Sequence, residues 1–286
     1  IVYYKGSSLL KQMFYFIQEK NFSEGLNSYF SKYKWNNSVF DNFIDEMAAA
    51  VSKRNDEDNL RKSFDLKKLS KKWLTETGLN QVELDMKVSE SDNKISEFEI
   101  KQSPCLEKYA NLQTHLMDVL FIYKDLPSVV IKDVLVENKP NTSITKVIGM
   151  DAPSAVILNY NDYSYIKWII DEKSFNFLKI FLHKKLDLLS RKLVYRSLYD
   201  SLRDAKISSI EYIETVCEFL EEEEDESLVI NNLNYMSTAV LYFTPRKLQE
   251  YFYEKLWDIT SVKIVQFFKK KQSYLGLIQL LISFSV

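Results

Sequence analysis

The sequence predicts a mainly α protein with a small antiparallel β-sandwich in its middle. Apolar residues recur at helical spacing in the first and last thirds of the 286-residue chain and alternate with polar residues in between. Glycine and proline are scarce (Gly 5, Pro 5), which leaves few tight turns and favours helices. Hydrophobic residues make up 46% and charged ones 27%, so the chain can bury a core, and its length suggests about two domains.

Residues 1–78 are predicted to be helical. Their apolar side chains follow one another at intervals of three and four, which is typical of amphipathic helices. A last short helix over residues 66–77 is predicted to end at Gly78, since glycine is preferred just after a helix C-terminus. The apolar positions are Leu10, Met13, Phe14, Ile17, Phe22, Leu26, Tyr29, Phe30, Tyr33, Phe40, Phe43, Ile44 and Met47.

At Gly78 the pattern changes from helical to alternating. Val82, Leu84 and Met86 alternate with charged residues, and residues 98–101 repeat the pattern after a turn at residues 89–93. Short strands at this spacing, each with one apolar face, indicate an antiparallel β-sandwich over residues 79–171. Further strands are predicted at residues 116–123, 129–136, 144–148, 155–158 and 165–170.

From residue 172 to residue 286 the helical spacing returns, and the pattern predicts an array of antiparallel helices. Ser208 with Glu211 forms a capping box, and Thr244 followed by Pro245 predicts an N-cap with proline at the first helical position. The acidic run at residues 221–226 lies between two helices and is predicted to be a solvated loop.

The composition excludes several classes of function. The formal charge of −2 gives no reason to expect nucleic acid or an anionic membrane as the main partner, and no apolar run reaches the roughly 18 residues of a membrane span. No phosphate-binding loop, nucleophile elbow or dinucleotide fingerprint is present. Cys105 and Cys217 do not form a disulfide framework, which fits a reducing compartment, and we expect a cytoplasmic protein.

The two histidines, His115 and His183, do not have the spacing of metal ligands. A zinc hydrolase typically carries H-E-x-x-H on one helix plus a third ligand, whereas L-M-D follows His115 and K-K-L follows His183. We therefore expect structural or surface roles for both. The residues by themselves predict no complete metal or catalytic site in this chain.

Five strings, in order, resemble the zinc aminopeptidases of the aminopeptidase N and puromycin-sensitive type, which are gluzincins. V-Y-Y-K-G at residues 2–6 resembles the V-Y-x-K-G segment of that family, and W-L-T-E-T-G-L-N at residues 73–80 is similar to its W-L-x-t-x-G-l-N junction. The other strings lie at residues 22–30, 155–174 and 198–205. Any one string is weakly specific, but their common order makes the resemblance fairly specific.

The resemblance implies a part of a zinc metallo-aminopeptidase, which releases N-terminal amino acids from peptides by metal-activated water attack. Residues 1–78 would be the last helices of a thermolysin-like catalytic domain, residues 79–171 the β-sandwich, and residues 172–286 the first part of an α-helical domain. The zinc ligands would precede Ile1, which is not a methionine. We therefore expect a missing N-terminal catalytic segment, and a fragment that is inactive alone.

One catalytic residue carries over from the resemblance. The tyrosine of Y-x-K-G in that family donates its hydroxyl to the oxyanion of the tetrahedral intermediate, and the matching residue is Tyr3, not Tyr4. The alternative is that Tyr3 is one of 18 tyrosines and packs at a helix start. A second interpretation of the whole chain also stays open: a non-catalytic interaction scaffold made of the sandwich and the helical array.

Overall fold

The computed structural model describes residues 2–52, 65–270 and 274–284. The chain forms two compact units, Ile1–Trp168 and Ile169–Val286. The first unit combines helices with two small sheets, and the second consists of helices. The prediction of a helical protein with a small sheet region is thus confirmed. The chain ends, residues 1 and 285–286, lie outside the described residues.

The helices of the first unit pack their apolar faces together and against one strand. Their shared core includes Leu9, Met13, Met47, Trp73 and Leu116. The third helix ends two residues before the predicted position, with Glu76 as its C-cap, and Gly78 follows with a left-handed φ of 111°. The first helix contains a break at Gln18, where φ is 65° and ψ is 156°. The helices are α1 (Val2–Tyr33), α2 (Phe40–Ser52) and α3 (Leu66–Thr75).

Gly25 lets α1 approach α2 closely. A Cβ atom at Gly25 would lie 2.6 Å from the Sδ atom and 3.2 Å from the Cα atom of Met47, which is fully buried. We expect Gly25→Ala to destabilise the protein by about 1–2 kcal/mol, because overpacking outweighs the better helix propensity of alanine. Gly6→Ala is the control: with no atom within 4 Å of the added Cβ, it should stabilise by up to about 1 kcal/mol. Urea denaturation measures both, and a stable Gly25→Ala variant would contradict the close packing.

Two sheets follow the first three helices. The four-stranded sheet has the order β5-β2-β1-β7 and the three-stranded sheet has the order β4-β3-β6. Phe98 of β2 contacts Phe121 of β3, with ring centroids 5.6 Å apart, so the sheets meet at these two side chains. The strands are β1 (Asn80–Val88), β2 (Ile95–Pro104), β3 (His115–Ile122), β4 (Val129–Val136), β5 (Asn141–Ser143), β6 (Ala155–Tyr160) and β7 (Lys167–Ile169).

The strand predicted at residues 144–148 is wrong. Residues Thr145–Val147 form a 3-10 helix, and β5 lies just before it, paired with β2. The apolar residues of this stretch explain the difference. Ile144 and Val147 are three residues apart and both buried, whereas Ile148 is exposed, which suits one helical turn rather than alternation.

The second unit is built from helices, and four successive ones begin with a side chain that caps the helix N-terminus. Asp171, Asp187, Ser208 and Asp225 each accept a hydrogen bond from a backbone N–H three residues later, so the predicted cap at Ser208 is confirmed. Among the described residues, no helix has the length and apolar content needed to span a membrane. The helices are α4 (Glu172–Lys185), α5 (Leu188–Arg203), α6 (Ser209–Glu222), α7 (Glu226–Phe243), α8 (Arg246–Lys269) and α9 (Leu275–Phe284).

The predicted cap at Thr244 is wrong by one position. Pro245 is the N-cap of α8, and Thr244 is the C-cap of α7. The Thr244 hydroxyl donates a hydrogen bond to the carbonyl oxygen of Ala239, at 3.0 Å, and therefore serves the end of the preceding helix. Only Thr244 and Pro245 separate α7 from α8, so Thr244 caps the first helix and Pro245 the second.

The acidic run at residues 221–226 is not simply a solvated loop. The Glu223 side chain is 0% exposed and accepts two hydrogen bonds from the Arg191 guanidinium, at 2.9 and 2.8 Å. The Lys263 ammonium donates to the carbonyl oxygens of Glu221 and Glu223, both at 2.9 Å. Arg191 of α5 thus compensates the charge of the Glu223 carboxylate, and Lys263 of α8 satisfies the open carbonyls at the end of α6. The composition of the run alone did not reveal these partners.

Candidate functional site

Tyr3 lies in the first turn of α1 and faces solvent. Its side chain is 89% exposed and that of Tyr4 is 78% exposed, and the first buried residue of α1 after Tyr3 is Leu9. Within the described part of the chain the Tyr3 hydroxyl makes no hydrogen bond. Tyr3 is therefore not a packing residue of this chain, and its hydroxyl can donate a hydrogen bond to an external group.

Lys5 fastens the same turn to the end of α3. Its ammonium donates a hydrogen bond to the backbone carbonyl of Glu76, at 2.7 Å. The Glu76 carboxylate in turn accepts from the side-chain amide of Gln113, also at 2.7 Å. Burial lowers the pKa of Lys5, and the negative charge of Glu76 partly offsets this. The start of α1 is thus tied to the segment that enters the first sheet.

A small polar cavity lies beside Lys5. It has a volume of about 10 Å³, which suits a single water molecule, and its lining includes Trp73, Gln113 and His115. Neither ring nitrogen of His115 has a hydrogen-bond partner among the described residues, and the same holds for Nε1 of Trp73. Burial lowers the pKa of His115 to about 3, so this imidazole is neutral at physiological pH.

The neutral state of His115 predicts a pH-dependent stability. Histidine in the unfolded chain has a pKa of about 6.5, so between this pH and about pH 3 the unfolded chain binds one more proton than the folded chain. The free energy of unfolding therefore falls with falling pH in this window, by about 1.4 kcal/mol per pH unit. His115→Leu should remove this component. Urea denaturation at several pH values measures the free energy of unfolding of the wild type and of His115→Leu. If this free energy changes with pH equally in both proteins, the prediction is refuted.

The described residues do not fit a zinc ion. They contain no group of three or more His, Cys, Asp or Glu side chains that could hold a metal. His115 is buried against the Trp73 ring, at 5.7 Å between centroids, and no described residue orients its ring nitrogens by a hydrogen bond. His183 donates a hydrogen bond from Nε2 to the carbonyl oxygen of Phe219, at 2.8 Å. Each histidine therefore has the environment of a structural residue.

A buried polar cluster around Asp118 escaped the sequence interpretation. Asp118 lies within β3, accepts a hydrogen bond from the Tyr15 hydroxyl, and lies 3.2 Å from the backbone nitrogen of Asp133. Tyr15 stacks on Tyr163 with ring centroids 4.0 Å apart, and burial together with Asp118 raises the Tyr15 pKa. A carboxylate inside an apolar strand was the signal that could have indicated this cluster. It joins α1 to the second sheet.

Comparisons with known proteins find similarity to peptidases. Residues 1–73 match the family described as peptidase family M1 domain. The chain is 26% identical over 237 residues to aminopeptidase N of Streptomyces lividans, an alignment that covers 80% of this chain and 26% of that protein.

The fold also resembles a solved structure, the crystal structure of Legionella pneumophila aminopeptidase A in complex with aspartic acid. The TM-score is 0.56 at 11% identity, and the match covers 98% of this chain and 34% of that one. The chain therefore spans about a quarter of the length of the curated relative and about a third of the solved structure.

Proposed function

We propose that this chain belongs to the M1 peptidase family and is part of a zinc metallo-aminopeptidase that releases N-terminal amino acids from peptides. The match over residues 1–73 carries the proposal. The similarity to aminopeptidase N of Streptomyces lividans over 80% of this chain supports it. The substrates would be peptides, and the reaction would be hydrolysis of the first peptide bond.

In this proposal the chain contributes three consecutive parts of the enzyme. Residues 1–78 are the last helices of a thermolysin-like catalytic domain, residues 79–171 are the β-sandwich, and residues 172–286 are the first part of the helical domain. The first compact unit ends at Trp168 and the second begins at Ile169, which supports a boundary near residues 171 and 172. The left-handed Gly78, which separates α3 from β1, supports the first.

In this proposal the zinc ligands would lie in a segment that precedes residue 1. The described residues themselves contain no group of three or more side chains that could hold a metal. The zinc ion, when bound, activates the attacking water. The segment with the ligands would be the essential partner of this chain, and the chain alone would be inactive. We also propose a reducing compartment such as the cytoplasm, which suits a chain with only two cysteines, Cys105 and Cys217.

Tyr3 would stabilise the oxyanion of the tetrahedral intermediate. A phenol at the start of a helix, exposed and without a hydrogen-bond partner among the described residues, can donate a hydrogen bond to negative charge that develops only in the transition state. Because the oxyanion exists only after water attack, this contact would raise kcat rather than tighten substrate binding.

The proposal is tested with the full-length protein and with residues 1–286 as a separate chain. Hydrolysis of aminoacyl-amide substrates is measured with and without a metal chelator. Full-length activity that the chelator abolishes, and no activity of the separate chain, are the expected results. A full-length protein without activity, or without H-E-x-x-H, would favour the interaction scaffold of sandwich and helical array instead.

A further inference from the structure

Lys5 connects the first turn of α1 to a distant part of the chain. Among the described residues, Lys5 makes the only side-chain hydrogen bond or ion pair that joins residues 2–8 to a remote part of the chain. The Ser7 hydroxyl bonds only to the nearby carbonyl of Tyr4, and a Cβ at Gly6 would meet no atom within 4 Å. The orientation of this turn therefore depends on Lys5 until Leu9 enters the core.

The acceptor of this bond is well fixed. Glu76 is the C-cap of α3, and its backbone N–H donates to the carbonyl of Lys72, at 2.9 Å. Its carboxylate is held by the amide of Gln113 and lies 3.8 Å from the Lys72 ammonium. Carbonyls at a helix C-terminus lack intrahelical partners and carry partial negative charge, so they favour a cation.

The partial burial of Lys5 makes its hydrogen bond to the Glu76 carbonyl stronger than a bond at the open surface. Lys5 is half-buried and borders the small cavity lined by Trp73, Gln113 and His115. An ammonium that has lost part of its hydration makes stronger hydrogen bonds than one in bulk water. Loss of the ammonium would also leave the Glu76 carbonyl without this donor.

Lys5 and Tyr3 project in opposite directions from the helix. Two residues correspond to about 200° of helical rotation, so a side chain held on the inner face directs the other outward. The inward anchor of Lys5 thus sets the direction in which the exposed Tyr3 points. We propose that Lys5 is a positioning residue for Tyr3, a proposal that rests on the proposed catalytic role of Tyr3.

The test uses Lys5→Met in the full-length protein, which keeps the aliphatic stem and removes the donor. We expect kcat to fall about 10- to 100-fold with little change in KM, since a shift of about 1 Å in a catalytic group costs up to 10²-fold. Lys5→Arg should restore part of kcat, because a guanidinium can donate to the same carbonyl. Lys11→Met is the matched control with unchanged kcat: Lys11 lies on the same helix, and its ion pair with Asp162, at 3.5 Å, is exposed.

A double-mutant cycle with Tyr3→Phe separates the two proposals. If Lys5 acts through Tyr3, Lys5→Met should change kcat less than about 2-fold in the Tyr3→Phe background. Full additivity, or a wild-type kcat for Lys5→Met while Tyr3→Phe is impaired, would overturn the positioning role and leave the proposed function standing. A wild-type kcat for Tyr3→Phe would instead refute the role of Tyr3. Thermal melting verifies folding, and Lys5→Gln takes the place of Lys5→Met if that variant does not fold.

Discussion

Replacing Glu223 by alanine is expected to destabilise the helical unit by about 3–5 kcal/mol. The Glu223 carboxylate accepts both hydrogen bonds of the Arg191 fork and also those of the backbone N–H groups of Glu224 and Asp225, each at 3.1 Å. Alanine would leave the mostly buried Arg191 guanidinium without its carboxylate. A buried charge without a partner costs more than the intact pair contributes, so the loss should be large.

Glu224→Ala is the matched control for this variant. Glu224 is the next residue and also pairs with a cation, Lys270, at 2.6 Å, but its side chain is 73% exposed. An exposed pair is screened by solvent and contributes little to stability, so this variant should remain close to the wild type. Chemical denaturation monitored by circular dichroism compares the two variants. Equal and small effects would mean that the Arg191–Glu223 pair is solvated in the folded protein.

In the proposed aminopeptidase, replacing Tyr3 by phenylalanine is expected to lower kcat by about 10²- to 10³-fold, or about 2.7–4 kcal/mol. The substitution removes only the hydroxyl, which makes no hydrogen bond within the described residues. The folded structure should therefore be unaffected. Since the oxyanion is absent from the ground state, KM should change far less than kcat.

Tyr4→Phe controls for the loss of an exposed phenol from the same turn. Tyr4 is almost as exposed as Tyr3 and is expected to retain wild-type kcat. Steady-state kinetics on an aminoacyl-amide substrate gives both parameters for both variants. An unchanged kcat for Tyr3→Phe, or equal losses in the two variants, would remove Tyr3 from the mechanism.

Local patterns predicted those elements that periodicity and capping determine. The alternation from Val82 to Val88 became β1, and Ser208 is the N-cap of α6. The failure at residues 144–148 has a local cause as well: a short apolar stretch fits both a strand and a helical turn, and pairing with β2 uses the three residues before it.

Features created by distant partners could not be predicted in this way. The run of acidic residues around Glu223 has the composition of a solvated loop, and its burial depends on Arg191 and Lys263, which lie more than 30 residues away. The anchor at Lys5 likewise depends on a backbone carbonyl 71 residues later. For the site, the sequence pointed to Tyr3 through a family resemblance, and the catalytic role of Tyr3 stays a prediction.

The complete burial of β3 bears on how this strand finds its place. All eight residues of His115–Ile122 are buried, so hydrophobicity hardly distinguishes one face of the strand from the other. In such a strand a slip by one residue exchanges the faces without exposing apolar surface. Asp118 removes this ambiguity, because a slip would put Met117 or Val119 at the Tyr15 hydroxyl and leave a carboxylate buried in an apolar layer. The buried carboxylate of Asp118 thus favours one alignment of a strand whose two faces are otherwise similarly buried.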